Sequence, residues 1–250
     1  MTASSARVVH RLGDKLFNFY LVDTGEGLVL VDAGLPAHWK SLADKVREIG
    51  ARLTDIRAVL ITHGHLDHIG LAARLRVEAG ADVWVHADDA PLLAAPGKIL
   101  KIAPPERSML PYALRSPTGL RGPLGVVRSG GLRTRAVAGV RTFDGDAVLD
   151  LPGEPRAVHM PGHTPGSTTF LFPGLSTAFT GDALVTLDSM IGQVGPRLIC
   201  RAFNTDSAAA LASLARVRGA DIATVLTGHG EPWTEGIGSA VAAATAAGIR

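Results

Sequence analysis

The segment Thr62-His63-Gly64-His65-Leu66-Asp67-His68 places four potential metal ligands, three imidazoles and one carboxylate, within six residues. Downstream, His163, Asp182 and His229 each stand in a short glycine-bounded setting. Imidazole and carboxylate donors suit catalytic divalent ions, and a pair of such ions makes hydroxide from water near neutral pH. The chemistry implied is hydrolysis. No thiolate belongs to the set, so zinc comes first, and iron and manganese also suit it. His63 and His65 alternate along an extended segment and can converge on one ion.

Such ligands need elements that deliver them to one place. Residues 7–10, 17–22 and 28–31 read as strands separated by glycine-containing turns. Residues 37–49 read as a helix ended by Gly50, and 68–79 as a helix stopped by Gly80. Between them the apolar run Ala58-Val59-Leu60-Ile61 reads as a buried strand. It carries Thr62 and the histidine cluster into the loop beyond its end.

The chain also repeats itself in part. Residues 55–64, DIRAVLITHG, parallel residues 221–230, DIATVLTGHG, with Asp, Ile, Val, Leu, His and Gly in register. Val31-Asp32-Ala33 similarly parallels Gly181-Asp182-Ala183. A duplicated half with ligands at equivalent strand ends predicts two sheets packed face to face, with the site along one edge.

With 250 residues the chain can bury a full core, and one domain over residues 1–250 is expected. Mean hydropathy of +0.22 suits a well-packed protein, and no apolar run approaches the ~18 residues of a membrane span. The polar start Met1-Thr2-Ala3-Ser4-Ser5-Ala6-Arg7 does not read as a secretory signal. The lone cysteine, Cys200, fits a reducing compartment, so a cytoplasmic location is expected. Cys200 itself reads as a buried apolar residue rather than a nucleophile. A net charge of +2 does not by itself imply a nucleic-acid partner.

From about residue 96 to 143 periodicity is poor and Pro, Gly, Ser and Arg dominate. Lys98, Lys101, Arg107, Arg115, Arg121, Arg128, Arg133, Arg135 and Arg141 face Glu106 alone. A basic Pro/Gly-rich lid insertion is expected here, either as a solvated mobile loop or as an attractant for anionic substrates.

His-Gly-His-Leu-Asp-His resembles the H-x-H-x-D-H signature of the metallo-β-lactamase superfamily. Pro161-Gly162-His163-Thr164-Pro165-Gly166, Phe179-Thr180-Gly181-Asp182 and Thr227-Gly228-His229-Gly230 are similar to the later marks of that family, and Asp32 to its early aspartate. The marks follow the family's order from about residue 16 to 230. The resemblance implies an α/β fold, a four-layer αββα sandwich of two mixed sheets. It implies two divalent ions per chain, one held by His63, His65 and His163 and the other by Asp67, His68 and His229. Asp182 would bridge them, and Asp67 would orient the nucleophile and take a proton. Asp32, ending an apolar strand, would hold the outer N–H of a ligand histidine.

The resemblance implies a dinuclear hydrolase that uses a metal-bridging hydroxide to cleave a small ester, lactone or thioester. β-Lactam hydrolysis, a phosphodiesterase or nuclease, and a mononuclear iron persulfide dioxygenase are the alternatives. The B1 β-lactamases carry Cys where Asp182 stands here, with a basic residue soon after, and this chain has no Lys beyond Lys101. Glutathione thioesterases bind substrate through basic residues in a C-terminal extension, and here Arg250 is the only basic residue after His229. Acyl-homoserine lactonases place a Tyr after the bridging Asp, where this chain has Ala183-Leu184-Val185. Tyr112 is the remote replacement, and Leu184 and Trp233 are further candidate pocket residues. His86 and His159 are expected to be structural. The expected partner is a small, anionic molecule, with no membrane and no nucleic acid, and a homodimer is allowed.

Overall fold

The computed structural model describes residues 7–250, the side chains of Pro117 and Thr118 excepted. The expectation of no secretory signal falls on residues 1–6, which lie outside the described residues.

Six strands form the first sheet: β1 (Val8–Gly13), β2 (Asn18–Asp23), β3 (Leu28–Val31), β4 (Ile56–Leu60), β5 (Asp82–His86) and β6 (Arg141–Phe143), side by side in that order. The first three run antiparallel, and β3 to β6 run parallel. The second sheet holds β7 (Ala147–Val148), β8 (Arg156–His159), β9 (Thr168–Phe172), β10 (Thr177–Gly181) and β13 (Thr224–Thr227), in the order β13-β10-β9-β8-β7. Only β10 and β13 are parallel in it. A separate hairpin pairs β11 (Val185–Asp188) with β12 (Gln193–Arg197).

Burial on both faces explains the continuous apolar strands. Along β2 to β4, alternate side chains enter different cores. Phe19, Leu21, Leu28, Leu30 and Val59 pack outward against the helices Trp39–Glu48 and Ala72–Glu78. Tyr20, Val22, Val29, Val31, Ala58 and Leu60 pack inward against Phe170, Phe172, Phe179 and Leu226 of the second sheet. That sheet's other face packs on the helices Ser207–Ser213 and Ile237–Ala247. The layers are therefore helix, sheet, sheet, helix. Phe170, Phe172 and Phe179 are wholly buried at the centre, where truncation to Ala costs about 3–5 kcal/mol.

The internal duplication has a structural counterpart. β3 pairs parallel with β4, and β10 pairs parallel with β13. Asp32 and Asp182 follow the first strand of each pair, and His63 and His229 follow the second. One edge of the sandwich thus gathers candidate ligands from both halves.

Two expected elements differ. The helix expected over 68–79 is two helices, Leu66–Ile69 and Ala72–Glu78. Between them, Gly70 N–H donates to the Gly34 carbonyl and Leu71 N–H to the Ala33 carbonyl, bonds that compete with the helical ladder. The stretch from 96 to 143 is not an unstructured loop. It folds into the helices Ile99–Ile102, Leu110–Arg115 and Arg121–Arg128, and ends in β6. These helices span one or two turns, too short for a 3.6-residue period to register.

Candidate metal centre

β4 ends at Leu60, and the following residues carry His63 and His65 across the sheet edge into the helix that bears Asp67 and His68. His163 lies in the turn between β8 and β9, Asp182 directly after β10, and His229 two residues after β13. The fold brings all seven expected ligands together. Donor atoms of His63, His65 and His163 lie within 4.8 Å of one another, as do those of Asp67, His68 and His229. Asp182 lies between the two groups. Its Oδ2 is 3.0 Å from His229 Nε2 and 3.5 Å from His163 Nε2, and its Oδ1 is 3.6 Å from His68 Nε2. Asp67 Oδ2 sits 3.5 Å from His229 Nε2.

Each of four imidazoles is fixed from behind. The Thr62 hydroxyl donates to the Asp32 carboxylate at 2.9–3.0 Å, so its oxygen accepts from His63 Nδ1 at 3.1 Å. His68 Nδ1 donates to Asp32 at 2.8 Å, His163 Nδ1 to Asn204 Oδ1 at 3.0 Å, and His229 Nδ1 to the Leu16 carbonyl at 2.6 Å. In all four the Nδ1 proton is thereby fixed and Nε2 is turned inward. Asp32 adopts a left-handed φ of 59°, which Asp tolerates better than most residues. The carboxylate also accepts from Thr62 N–H at 2.8 Å.

Polar atoms within the cluster test whether it fits a metal. His63 Nε2, His68 Nε2 and Asp182 Oδ1 are buried with no hydrogen-bond partner among the described residues. A buried polar atom left this way is costly unless it has another role. Three such atoms converging with further imidazole and carboxylate donors fit a divalent cation. Burial lowers the pKa values of His63, His65 and His163. Burial also works against charge on His68 and His229, yet nearby carboxylates prevail. Asp32, Asp67 and Asp182 hold His68 up at about 10, and Asp182 and Asp67 hold His229 up at about 9. Asp182 is held well below the usual carboxylate range by His229, His68 and His163, against its burial. The carboxylates thus demand positive charge here, as imidazolium protons or as metal cations.

Glycine is required where the halves touch. Gly181 has φ of 50°, and a Cβ on it would lie 2.2 Å from Thr62 Oγ1. A Cβ on Gly228 would lie 2.2 Å from Asp182 Oδ1.

The three candidate pocket residues lie elsewhere. Tyr112 donates its hydroxyl to the main-chain oxygen of Arg250 at 3.1 Å and packs on Met190, Cys200 and Ala202. Leu184 is buried in the core beneath the second sheet. Trp233 packs on that core, and its indole N–H donates to Ser239 at 2.8 Å. Cys200 is buried, and burial pushes its thiol up to about 12, which removes it as a nucleophile.

Sequence reading missed Asn204 and Asp89. Asn204 stands 41 residues from the histidine it orients. Asp89 is wholly buried and accepts from Gly64 N–H at 2.8 Å, Thr164 Oγ1 at 2.7 Å and Gly166 N–H at 2.7 Å. Neither carries a local signal, because their partners come from distant segments. His86, Asp88 and His159 also bring donor atoms within 4.8 Å. The two rings are stacked, however, with centroids 3.9 Å apart and 13° between planes. Near-parallel rings cannot both aim in-plane lone pairs at one ion, so this pair is packing. Two surface cavities, one bounded by Arg7, Asp150 and Glu154 and the other by Arg11, Lys45 and Glu231, contain none of the clustered ligands.

The family model for the metallo-beta-lactamase superfamily covers residues 14–229. The probable metallo-hydrolase YflN of Bacillus subtilis is 25% identical over 92% of this chain and 86% of its own length. The hydroxyacylglutathione hydrolase GloC of Haemophilus influenzae is 28% identical over 65% of this chain and 63% of its own. Among solved structures, TTHA1623 in a di-iron-bound form superposes with a TM-score of 0.64 at 28% identity, covering 93% of this chain and 96% of that one. With the family model covering residues 14–229, from β2 through every loop that carries a candidate ligand, the chain belongs to the metallo-beta-lactamase superfamily.

Proposed function

We propose that the protein is a metal-dependent hydrolase of a small ester, lactone or thioester. The observation that carries the reading is the cluster of inward, unpartnered donor atoms on His63, His68 and Asp182, with His65, Asp67, His163 and His229 around them. His63, His65 and His163 would hold one ion, Asp67, His68 and His229 the other, and Asp182 would contact both. Two divalent ions bound there lower the pKa of water and polarise a substrate carbonyl oxygen.

The remaining work falls to the chain itself. Thr62, Asp32, Asn204 and the Leu16 carbonyl hold the imidazoles in the ligating tautomer. Asp67, partly exposed beside the buried His68, orients the attacking water and takes its proton. Ala183, Leu184 and Val185 after Asp182 are buried apolar residues, so no side chain there donates to the substrate oxygen. Similarity to hydroxyacylglutathione hydrolases favours thioesters within the class.

The test is acid release by metal-reconstituted protein from a panel of lactones, esters, thioesters, a cephalosporin and an aryl phosphodiester. Mutation-sensitive turnover of one carbonyl class, abolished in Asp182→Asn, is expected. Turnover of the phosphodiester or cephalosporin alone, or undiminished turnover in Asp182→Asn, would overturn the proposal.

A further inference from the structure

The helical segment from 98 to 135 exposes several large apolar side chains. Leu100, Leu110, Leu114, Leu124, Val127 and Leu132 are all exposed, with Leu100, Leu114 and Leu132 above 70%. Eight Lys and Arg side chains lie in the same stretch against one acid, Glu106. Glu106 is taken by Arg201, outside the segment. None of the eight cations forms an ion pair among the described residues, and all eight are exposed.

The helices order these groups. On Arg121–Arg128, the exposed positions 121, 124, 127 and 128 form one stripe of Arg121, Leu124, Val127 and Arg128. On Leu110–Arg115, Leu110, Leu114 and Arg115 share the exposed side, while Tyr112 turns inward. The inner sides are small and closely seated. Gly119 lies against Met190, and Gly125 against the Phe17 ring. Phe17 in turn meets the His229 ring edge to face, with centroids 5.7 Å apart. The segment thus covers the flank of the metal centre and turns leucine and arginine outward.

We propose that this face docks on the surface of an anionic lipid bilayer. Interleaved leucine and arginine match a surface with negative headgroups above an apolar interior. A second copy of the chain fits less well, because symmetric pairing would set two unneutralised cation clusters against each other. A nucleic-acid groove stacks bases on aromatic rings, and the one aromatic of the segment, Tyr112, points inward. The proposal revises the expectation of no membrane partner, which rested on the lack of a spanning run. It does not depend on the hydrolase reading, since it concerns binding alone.

The test is sedimentation of the full, metal-loaded chain with vesicles of phosphatidylcholine, or of phosphatidylcholine and phosphatidylglycerol in equal parts. Binding to the mixed vesicles only, weakened by salt, is expected. The triple variant Arg115→Gln, Arg121→Gln, Arg128→Gln should bind on the order of a hundredfold more weakly. The double variant Leu114→Glu, Leu124→Glu should lose binding while keeping the wild-type metal content, which reports that the fold is intact. No binding to mixed vesicles, equal binding to both kinds, or binding that survives both variants would overturn the proposal. So would a wild-type dimer in lipid-free sedimentation equilibrium that the leucine variant dissociates, since that outcome assigns the face to a second copy.

Discussion

Asp89 Oδ2 lies 2.8 Å from the backbone N–H of Gly64, the residue between the two histidines His63 and His65. The same oxygen accepts from Thr164 Oγ1, and Oδ1 accepts from Gly166 N–H, so one buried carboxylate ties two histidine loops together. These loops lie about a hundred residues apart in sequence, and besides this carboxylate a backbone bond from Thr168 N–H to the Thr62 carbonyl at 2.8 Å joins them.

Asp89→Asn should therefore loosen the group of His63, His65 and His163. The amide can accept through only one oxygen, leaving a buried donor unpaired at a cost of about 1–3 kcal/mol. Metal affinity of that group should fall about 10–100-fold. Competition with a chromophoric chelator measures the affinity, and thermal unfolding of the metal-free protein measures the stability loss. Wild-type affinity in the variant would show that the loops need no such tie.

Asn204 and Asp32 each hold a different imidazole, and their variants should separate the two metal sites. Asn204→Ala frees His163 Nδ1, and Asp32→Ala frees His68 Nδ1 and the Thr62 hydroxyl. Each should weaken one binding step about 10–100-fold in a stepwise zinc titration. Asp32→Ala should also weaken the other step, because the Thr62 hydroxyl passes its restraint to His63. Equal effects of both variants on one step alone would contradict the separate support of the two groups.

Gly181→Ala places a methyl group 2.2 Å from the Thr62 hydroxyl and holds an L-residue at φ of 50°. The conformation alone costs about 1–2 kcal/mol. Displacing Thr62 also breaks its bonds to Asp32 and His63. Lower stability together with a lower metal content is expected. Stability lost with metal content unchanged would mean that Thr62 moves without disturbing His63.

Glu106 governs how the basic segment is pinned to the body. Its carboxylate pairs with Arg201 and accepts from Ser207 N–H at 3.1 Å. The Arg201 contact above all lowers its pKa from 4.5 to about 2. A depressed carboxylate contributes stability above its unfolded pKa and loses it as the pH falls through the folded one. The carboxylate's contribution is thus complete above about pH 4.5 and lost toward pH 2, while the backbone bonds from Glu106 N–H to Asn204 and from Arg107 N–H to Arg201 remain. Protease nicking of the segment should rise across that window at constant salt, using an acid-active protease. Glu106→Gln should be nicked at the elevated rate throughout, and a pH response unchanged by the substitution would remove Glu106 from this role.

The residues of the candidate cluster were legible in the sequence because their grouping depends on short-range order. Strand β4 ends beside Thr62, and the spacing from His63 to His68 is local, as are the turns around His163, Asp182 and His229. The parallel between residues 55–64 and 221–230 likewise pointed to paired strands, and both pairs are present as β3–β4 and β10–β13. What holds those ligands was not legible. Asn204, Asp89 and the Leu16 carbonyl reach their partners across 41, 25 to 77 and 213 residues. Tyr112, Leu184 and Trp233 were reasonable choices by position, yet packing turned each toward the core or the chain terminus. The exposed leucines of the 98–135 segment were equally hidden, since its helices are too short to print a period. Residue type and spacing set which atoms can ligate. Which second atom fixes each imidazole, and which way an apolar side chain faces, depends on packing between segments that meet only when both sheets close.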